Sequence, residues 1–317
     1  MAGFPTDFIW ATATASYQVE GANDIDGRGL STWDVIRSQP GRIADNSSLS
    51  LGCDHYHHYK EDVQLIKDLK VTHYRLSICW TRILPTGLID NINEKGVLFY
   101  RDLLEELIKN GISPIVTLFH ADYPYSLYEK GGWLNSDCIQ WYHDFCRLCF
   151  VRFGDLVQCW ITFNEIGAHA WWAVTKIDGQ LHHSPDTVDI PIPKRKAPYV
   201  AAHNMLLAHA KVYHMYVQEF RKNQRGQLGI TVGGRWYKTF SEDSKDDEAV
   251  KRALDWTFNW TVAPIFGKDG DYPDSLKRNM RELEKRDGLE LLPRFTEEEM
   301  EQIKGTFSDE YRRLINP

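Results

Sequence analysis

Short apolar stretches alternate along this chain with longer amphipathic ones. Five apolar stretches are bounded by polar or turn residues, as buried strands are, and they cover residues 8–13, 72–79, 114–119, 157–163 and 228–233. Apolar positions at helical spacing follow each of them. Because strands that alternate with amphipathic helices form βα units, the pattern predicts a parallel sheet covered by helices.

Several predicted helices have recognisable ends. Between the second and third strands, apolar residues recur at helical spacing from Tyr100 to Ile108, and Gly111 ends this helix. A final helix opens at Thr296, which forms a T-x-x-E capping box with Glu299. The other helices are predicted over residues 136–152, 197–222, 245–262 and 274–286, and a long loop over residues 181–196.

The order of the elements predicts one domain over residues 1–317, since no repeat or linker interrupts the alternation. A sixth strand is due near residues 303–307, but the sequence becomes charged there and reaches Pro317 without one. A closed parallel barrel has eight strands. About five βα units and the start of a sixth do not close one.

Composition and charge narrow the class of protein. The 317 residues are 43% hydrophobic and 26% charged, which is typical of a globular protein, and the net charge of −7 disfavours a nucleic-acid partner. No apolar run approaches the roughly 18 residues that span a bilayer, so no membrane segment is expected. The first seven residues lack a signal core, which predicts a cytoplasmic chain, or a secreted or lysosomal one if the N-terminus is incomplete.

Two patterns that could suggest metal or redox chemistry have simpler explanations. The C-x-x-C at residues 146–149 lies within an amphipathic helix, where helix packing explains both cysteines. Cys53 with His55, His57 and His58 lacks a second ligand pair at suitable spacing for zinc. We therefore predict reduced thiols and no metal site.

The ends of three strands carry the candidate chemistry. The fourth strand runs through W-I-T-F and ends in Asn164 and Glu165, the third is followed by His120, and the first leads to Gln18. In βα folds, reacting groups lie at the carboxyl ends of strands, and amide, imidazole and carboxylate groups suit sugar hydroxyls. Two structural alternatives remain open: Glu165 could stabilise a helix N-terminus, and His120 could be a core residue.

Short motifs occur in a fixed order along most of the chain. They include F-I-W-A-T-A at residues 8–13, S-Y-Q-V-E-G-A at 16–22, Y-R-L-S-I-C-W-T-R-I-L-P at 74–85, T-F-N-E at 162–165, G-D-Y-P at 270–273 and L-P-R-F-T at 292–296. From about Phe4 to Thr306, the chain resembles the family 1 glycoside hydrolases, the β-glucosidase family that includes lactase-like and klotho-like proteins.

The resemblance implies a fold and a reaction. The fold is an α/β (β/α)8 TIM barrel, here incomplete, and the reaction is retaining hydrolysis of β-linked glucosides or related glycosides in carbohydrate metabolism, without metal or organic cofactor. Two carboxylates perform this reaction, and Glu165 matches the acid/base, which must hold its proton near neutral pH. Asn164 matches the residue that binds the sugar 2-hydroxyl, Gln18 and His120 match contacts to other hydroxyls, and Arg75 matches a residue beside the nucleophile.

The chain also departs from the family pattern. The I/V-T-E-N-G motif that carries the nucleophilic Glu is absent, as is the later Trp-containing segment, while Ile166 replaces a Pro and Ala121 an aromatic residue. We therefore expect a C-terminally truncated relative with little or no activity on its own. Two alternatives remain: a non-catalytic, klotho-like protein that binds sugar or protein, and a truncated product without independent function.

Overall fold

The computed structural model describes residues 3–5, 8–41, 43–45, 50–172, 176–177, 180–181 and 192–308. The chain forms two compact units. Unit 1 comprises Met1–Ser126, Asp144–Thr162 and Tyr216–Leu228, and unit 2 comprises Leu127–His143, Phe163–Met215 and Gly229–Pro317. Each unit is assembled from stretches that are separated in the sequence. The single domain over residues 1–317 stays a prediction.

The five predicted strands are present and form one parallel sheet. The strands of the described residues are β1 (Ala11–Ala13), β2 (His73–Ser77), β3 (Ser113–Phe119), β4 (Cys159–Asn164), β5 (Lys176–Ile177), β6 (Gln180–Leu181) and β7 (Gln227–Thr231). The sheet has the order β1-β2-β3-β4-β7, and β5 and β6 form a separate antiparallel pair. In the parallel register, Ala11 lies opposite His73, and His73 opposite Ser113.

The first strand is shorter than predicted. Only three residues of the predicted stretch 8–13 pair with β2, at the edge of the sheet. Phe8 and Trp10 instead form an aromatic cluster with Phe4, with ring centroids 4.5–4.8 Å apart. Phe8 and Trp10 remain 41% and 49% exposed. Their apolar character therefore reflects mutual packing and not strand burial.

Helices follow the strands, as the pattern predicts. They are α1 (Ser16–Val19), α2 (Thr32–Ser38), α3 (His55–Asp68), α4 (Trp80–Ile83), α5 (Glu94–Lys109), α6 (Tyr125–Tyr128), a 3₁₀ turn (Gly132–Leu134), α7 (Cys138–Phe153), α8 (Ile166–Trp172), α9 (Ala197–Met215), α10 (Arg221–Gln224), α11 (Ser244–Leu254), α12 (Trp260–Phe266), α13 (Asp274–Asp287) and α14 (Glu297–Ile303). The capping box at Thr296 is confirmed, since its hydroxyl accepts from the Glu299 amide at 3.2 Å.

Two predicted long helices each contain a π-helical turn. The helix predicted over residues 197–222 is divided by the π segment Tyr216–Phe220, and the one over 245–262 by Asp255–Asn259. A π turn accommodates one extra residue within a helix, and the spacing of apolar residues alone does not reveal it. Most of the predicted loop at 181–196 lies outside the described residues.

The chain after α14 packs without forming a strand within the described residues. The Gly305 amide donates to the Ile265 carbonyl at 2.8 Å, and the Phe307 ring stacks on Phe266 with centroids 4.7 Å apart. None of the six cysteines, all of which lie among the described residues, forms a disulfide, and Cys146 and Cys149 are buried in α7, as the helix-packing interpretation predicts.

Candidate active site

The carboxyl end of β4, which lies in unit 2, carries Asn164 and Glu165. Asn164 is the last residue of the strand and is 8% exposed. Glu165 has a φ of 53°, and its amide donates to the carbonyl of Thr231, the last residue of β7, at 2.8 Å. The Glu165 carbonyl accepts from the His169 amide at 3.1 Å at the start of α8. A left-handed glutamate is uncommon and persists only where surrounding contacts fix it.

Gly233 leaves the space that the Glu165 carboxyl occupies. A Cβ atom at residue 233 would lie 2.3 Å from Glu165 Oε1 and 2.6 Å from its Cδ, closer than real Cβ contacts. A glycine is therefore needed for the observed position of the carboxyl. Sequence reasoning missed this role, although a Gly-Gly pair at the end of a predicted strand signals a close approach of the backbone.

Aromatic packing fixes the backbone that precedes Asn164. The Phe163 ring lies against Tyr142 at 4.5 Å and against Trp133 at 5.4 Å, measured between centroids. The Asn204 side chain donates to the Trp133 carbonyl at 2.8 Å. Phe163 is fully buried, so close packing holds the end of β4 in place.

In unit 1, α1 presents Gln18 beside an aromatic group. Gln18 is exposed, and its Nε2 donates to the Tyr17 hydroxyl at 3.3 Å. The Tyr17 ring stacks on Trp33 with centroids 4.9 Å apart and meets His120 edge-on at 5.9 Å. The structure therefore brings Gln18 and His120 into one group of side chains.

Buried polar contacts hold the C-terminal end of α1. Glu20 accepts from Arg82 Nε at 2.9 Å and from the Tyr100 hydroxyl at 2.6 Å. Arg82 also donates to the Gly21 carbonyl at 3.1 Å, and its guanidinium lies 4.4 Å from the centre of the Tyr56 ring. Glu20 and Arg82 are 4% and 1% exposed. This pair fixes the helix two residues beyond Gln18.

In unit 1, Arg75 lies in β2 and His120 follows the neighbouring strand β3. His120 directly follows β3, and Arg75 lies in β2, where its Nε donates to Thr117 Oγ1 of β3 at 2.8 Å. Burial, with a smaller effect of the Arg75 cation, lowers the pKa of His120 to about 4. The imidazole is therefore neutral near pH 7 and offers one hydrogen-bond donor and one acceptor.

Neither a candidate metal site nor a candidate membrane-spanning helix occurs among the described residues. That part of the chain contains no arrangement of three or more His, Cys, Asp or Glu side chains that could hold a metal ion. None of its helices combines the length and the apolar character needed to cross a bilayer.

Comparison with known proteins gives consistent matches. Residues 1–309 match the profile described as "Glycosyl hydrolase family 1". Cytosolic beta-glucosidase of Homo sapiens is 40% identical over 308 residues, which are 96% of this chain and 64% of that relative. The chain thus spans less than two thirds of the length of this curated relative.

Solved structures agree with the sequence matches. The structure titled "Aphid myrosinase" has a TM-score of 0.88 and 36% identity, covering 96% of this chain and 64% of that one. A mutant of the rice Os3BGlu6 beta-glucosidase, in a covalent complex with Glc, has a TM-score of 0.84 and 36% identity over 96% of this chain and 62% of its own. The five parallel strands are those of an incomplete (β/α)8 barrel.

Proposed function

This chain belongs to glycosyl hydrolase family 1, and we propose that it carries the acid/base part of a retaining β-glycosidase site. In this proposal, Glu165 protonates the leaving oxygen and then accepts a proton from the attacking water. The observation that carries the proposal is the placement of Glu165, whose left-handed backbone and Gly233 neighbour give its carboxyl a defined position at a strand end.

The remaining candidate residues supply sugar contacts in this proposal. Asn164 binds the 2-hydroxyl, Gln18 and the neutral His120 bind other hydroxyls, and Arg75 supports the charge of the nucleophile. The substrate is a β-linked glucoside or a related glycoside. The covalent complex of a rice relative with Glc supports this class of ligand.

The nucleophile is the group that the 317 residues do not supply. No T-E-N-G motif occurs in the sequence. Without a nucleophile, the covalent route that divides the displacement into two easier steps is closed. We therefore propose that these 317 residues alone hydrolyse β-glucosides little or not at all.

Incubation of the purified chain with an aryl β-glucoside tests this directly. We expect no turnover above that of the Glu165→Gln variant. Turnover by the unsubstituted chain that is lost in Glu165→Gln would contradict the proposed inactivity and would support the role of Glu165.

A chimera tests the role of Glu165 independently. The chain would be followed by the C-terminal part of the human cytosolic beta-glucosidase, which is 40% identical over the aligned region. We expect the chimera to hydrolyse the aryl glucoside and its Glu165→Gln variant to be strongly impaired. An active chimera that is indifferent to Glu165→Gln would refute the assignment.

A non-catalytic sugar-binding protein is the second candidate, favoured by the presence of Gln18, His120 and Asn164 without a nucleophile motif. Calorimetric titration with glucose tests it, and the absence of heat at millimolar glucose would count against it. The truncated-product alternative predicts aggregation, which a monodisperse, cooperatively melting chain would contradict. The cytoplasmic location stays a prediction, to be tested by cell fractionation.

A further inference from the structure

Asp122 is a buried aspartate that links the segment after β3 to α1, the helix that carries Gln18. It follows His120 by two residues and is 1% exposed. Its Oδ2 accepts from the Ser16 hydroxyl at 2.8 Å, and Ser16 is the first residue of α1. Its Oδ1 is buried and makes no hydrogen bond to the described residues.

Ser16 links Asp122 to the sheet as well as to α1. The Ser16 amide donates to Ser77 Oγ at 2.8 Å, and the Ser77 hydroxyl donates to Ser16 Oγ at 3.2 Å. Ser77 is the last residue of β2. One aspartate and two serines therefore connect the end of β2, the start of α1 and the segment after β3.

The same segment after β3 also holds the aromatic side of the group. The Thr32 amide donates to the Tyr123 carbonyl at 2.8 Å, and the Tyr125 amide donates to the Leu30 carbonyl at 2.9 Å. Trp33, which follows Thr32 in the chain, stacks on Tyr17. Residues 120–125 therefore anchor both the helix that carries Gln18 and the tryptophan beside it.

The charge on Asp122 is poorly compensated. Burial raises its pKa to about 7, with a small further increase from Glu20, while the Ser16 hydrogen bond, a hydrogen bond from its own main-chain amide and the Arg28 cation act in the opposite direction. Cys79 also faces this region, but burial raises the pKa of its thiol, which stays neutral. An ionised carboxylate here has one side-chain hydrogen bond and one buried oxygen without a partner.

We propose that Asp122 is a positioning residue whose neutral form holds Ser16, and thereby α1 with Gln18, in place, and whose ionisation loosens α1. A neutral carboxyl keeps the hydrogen bond in either protonated form: Ser16 donates to Oδ2 when the proton is on Oδ1, and accepts when it is on Oδ2. An ionised carboxylate is stabilised by hydrogen bonds from water, and water reaches Asp122 when the start of α1 moves away. Only the benefit for sugar binding rests on the proposed function.

Hydrogen exchange of a peptide spanning α1 tests the inference without any sugar. Protection factors, corrected for the chemical exchange rate, would be compared at about pH 6 and about pH 8, on either side of about 7. We expect protection of α1 to fall about tenfold over this interval in the unsubstituted chain. In Asp122→Asn, which stays neutral, protection should remain similar at both values.

Two further variants separate positioning from general stability. Ser16→Ala removes the link and should lower protection of α1 at both pH values. Asp255→Asn is the matched control, because Asp255 is also a buried aspartate that accepts a serine hydroxyl, from Ser275 in unit 2. It should leave the pH dependence of α1 unchanged.

Two results would contradict this role of Asp122. An equal fall in protection in Asp122→Asn and in the unsubstituted chain would overturn it, as would full protection of α1 in Ser16→Ala. Calorimetric titration with glucose at both pH values tests the benefit for sugar binding. Binding that weakens at about pH 8 in the unsubstituted chain but not in Asp122→Asn supports it. Failure to bind glucose at any pH would count against the proposed function and leave the exchange result standing.

Discussion

The chain after β3 and the chain after β4 each turn through a left-handed residue, and different contacts hold the two turns. Each has a non-glycine residue in the left-handed region, Ala121 with a φ of 72° and Glu165 with a φ of 53°. After β3, buried side chains from distant parts of unit 1 hold the turn, through Asp122 and Ser16. After β4, a main-chain hydrogen bond from Glu165 to Thr231 and the missing side chain of Gly233 do so.

This difference separates two ways of placing a functional side chain. In unit 1, the helix that carries Gln18 depends on ionisable groups, so its order should respond to pH and to charge-changing substitutions. In unit 2, the placement of Glu165 depends on backbone geometry and free space, so it should respond to substitutions that add volume.

The largest effect is expected from removing a charge in unit 1. Arg82→Met should lower the free energy of unfolding by about 3–5 kcal/mol, because it leaves the Glu20 carboxylate buried without its cation. Chemical denaturation would measure this. The double variant Glu20→Gln/Arg82→Met should recover part of the loss. Arg101→Met breaks the more exposed pair with Asp155 in the same unit and should change stability by about 1 kcal/mol or less.

The next effect concerns the space beside Glu165. Gly233→Ala should reduce turnover by the chimera about 100-fold, because the added Cβ must displace the carboxyl. Stability should change little, since the Glu165 side chain can rotate away. Gly167→Ala, in α8 of the same unit, adds a Cβ at an ordinary 3.5 Å contact and serves as the control. Equal activity of both variants would show that the Gly233 space is not needed.

A smaller effect is expected from acid. Burial lowers the pKa values of His203 and His209 in unit 2 from 6.5 to about 4, as it does for His120. The unfolded chain takes up protons below 6.5 while the folded chain does not, so these histidines reduce stability as the pH falls from 6.5 to about 4. Asp122 acts oppositely in unit 1, where its raised pKa favours folding increasingly as the pH falls from about 7 to 3.8.

Local hydrogen exchange can measure this opposition between the units. Over the acid range, protection near His203 and His209 should fall more steeply than protection near His120 and Asp122. The variant Asp122→Asn should remove the compensation in unit 1. A uniform loss of protection in both units, unchanged by Asp122→Asn, would contradict the expectation.

The smallest effect concerns the turn after β3. Ala121→Gly should change the free energy of unfolding by at most about 1 kcal/mol in the stabilising direction, because glycine adopts a positive φ more easily but loses more entropy on folding. Thermal unfolding would detect it. The control Ala168→Gly, within α8, should destabilise by about 1 kcal/mol. Destabilisation by both variants would show that Ala121 is not strained.

Much of the fold could be predicted because its signals are local. The five strands and the capping box at Thr296 depend on apolar spacing and on residues within one turn. The strand predicted from Phe8 is shorter because an apolar run does not indicate its partner, and here the first aromatic residues pack on one another. The same spacing gives no signal for a π turn inside a helix.

Less of the candidate site could be predicted, because its supports are distant in sequence. Motif order was enough to select Glu165, Asn164, Gln18, His120 and Arg75, and their roles remain predictions. Ser16 meets Ser77 across 61 residues and Asp122 across 106, and no local pattern connects these three. The need for Gly233 likewise arises only when β7 lies beside the end of β4.

The division of unit 1 into three stretches affects how the chain can fold during synthesis. Its first stretch ends at Ser126, but its last begins only at Tyr216, about 90 residues later. At typical translation rates this delay is on the order of 5–20 s, much longer than a helix or hairpin needs to form. Phe150 is therefore synthesised well before Tyr216 and Phe220, whose rings lie 4.8 and 5.5 Å from its own, and its ring lacks these neighbours until the last stretch has been made.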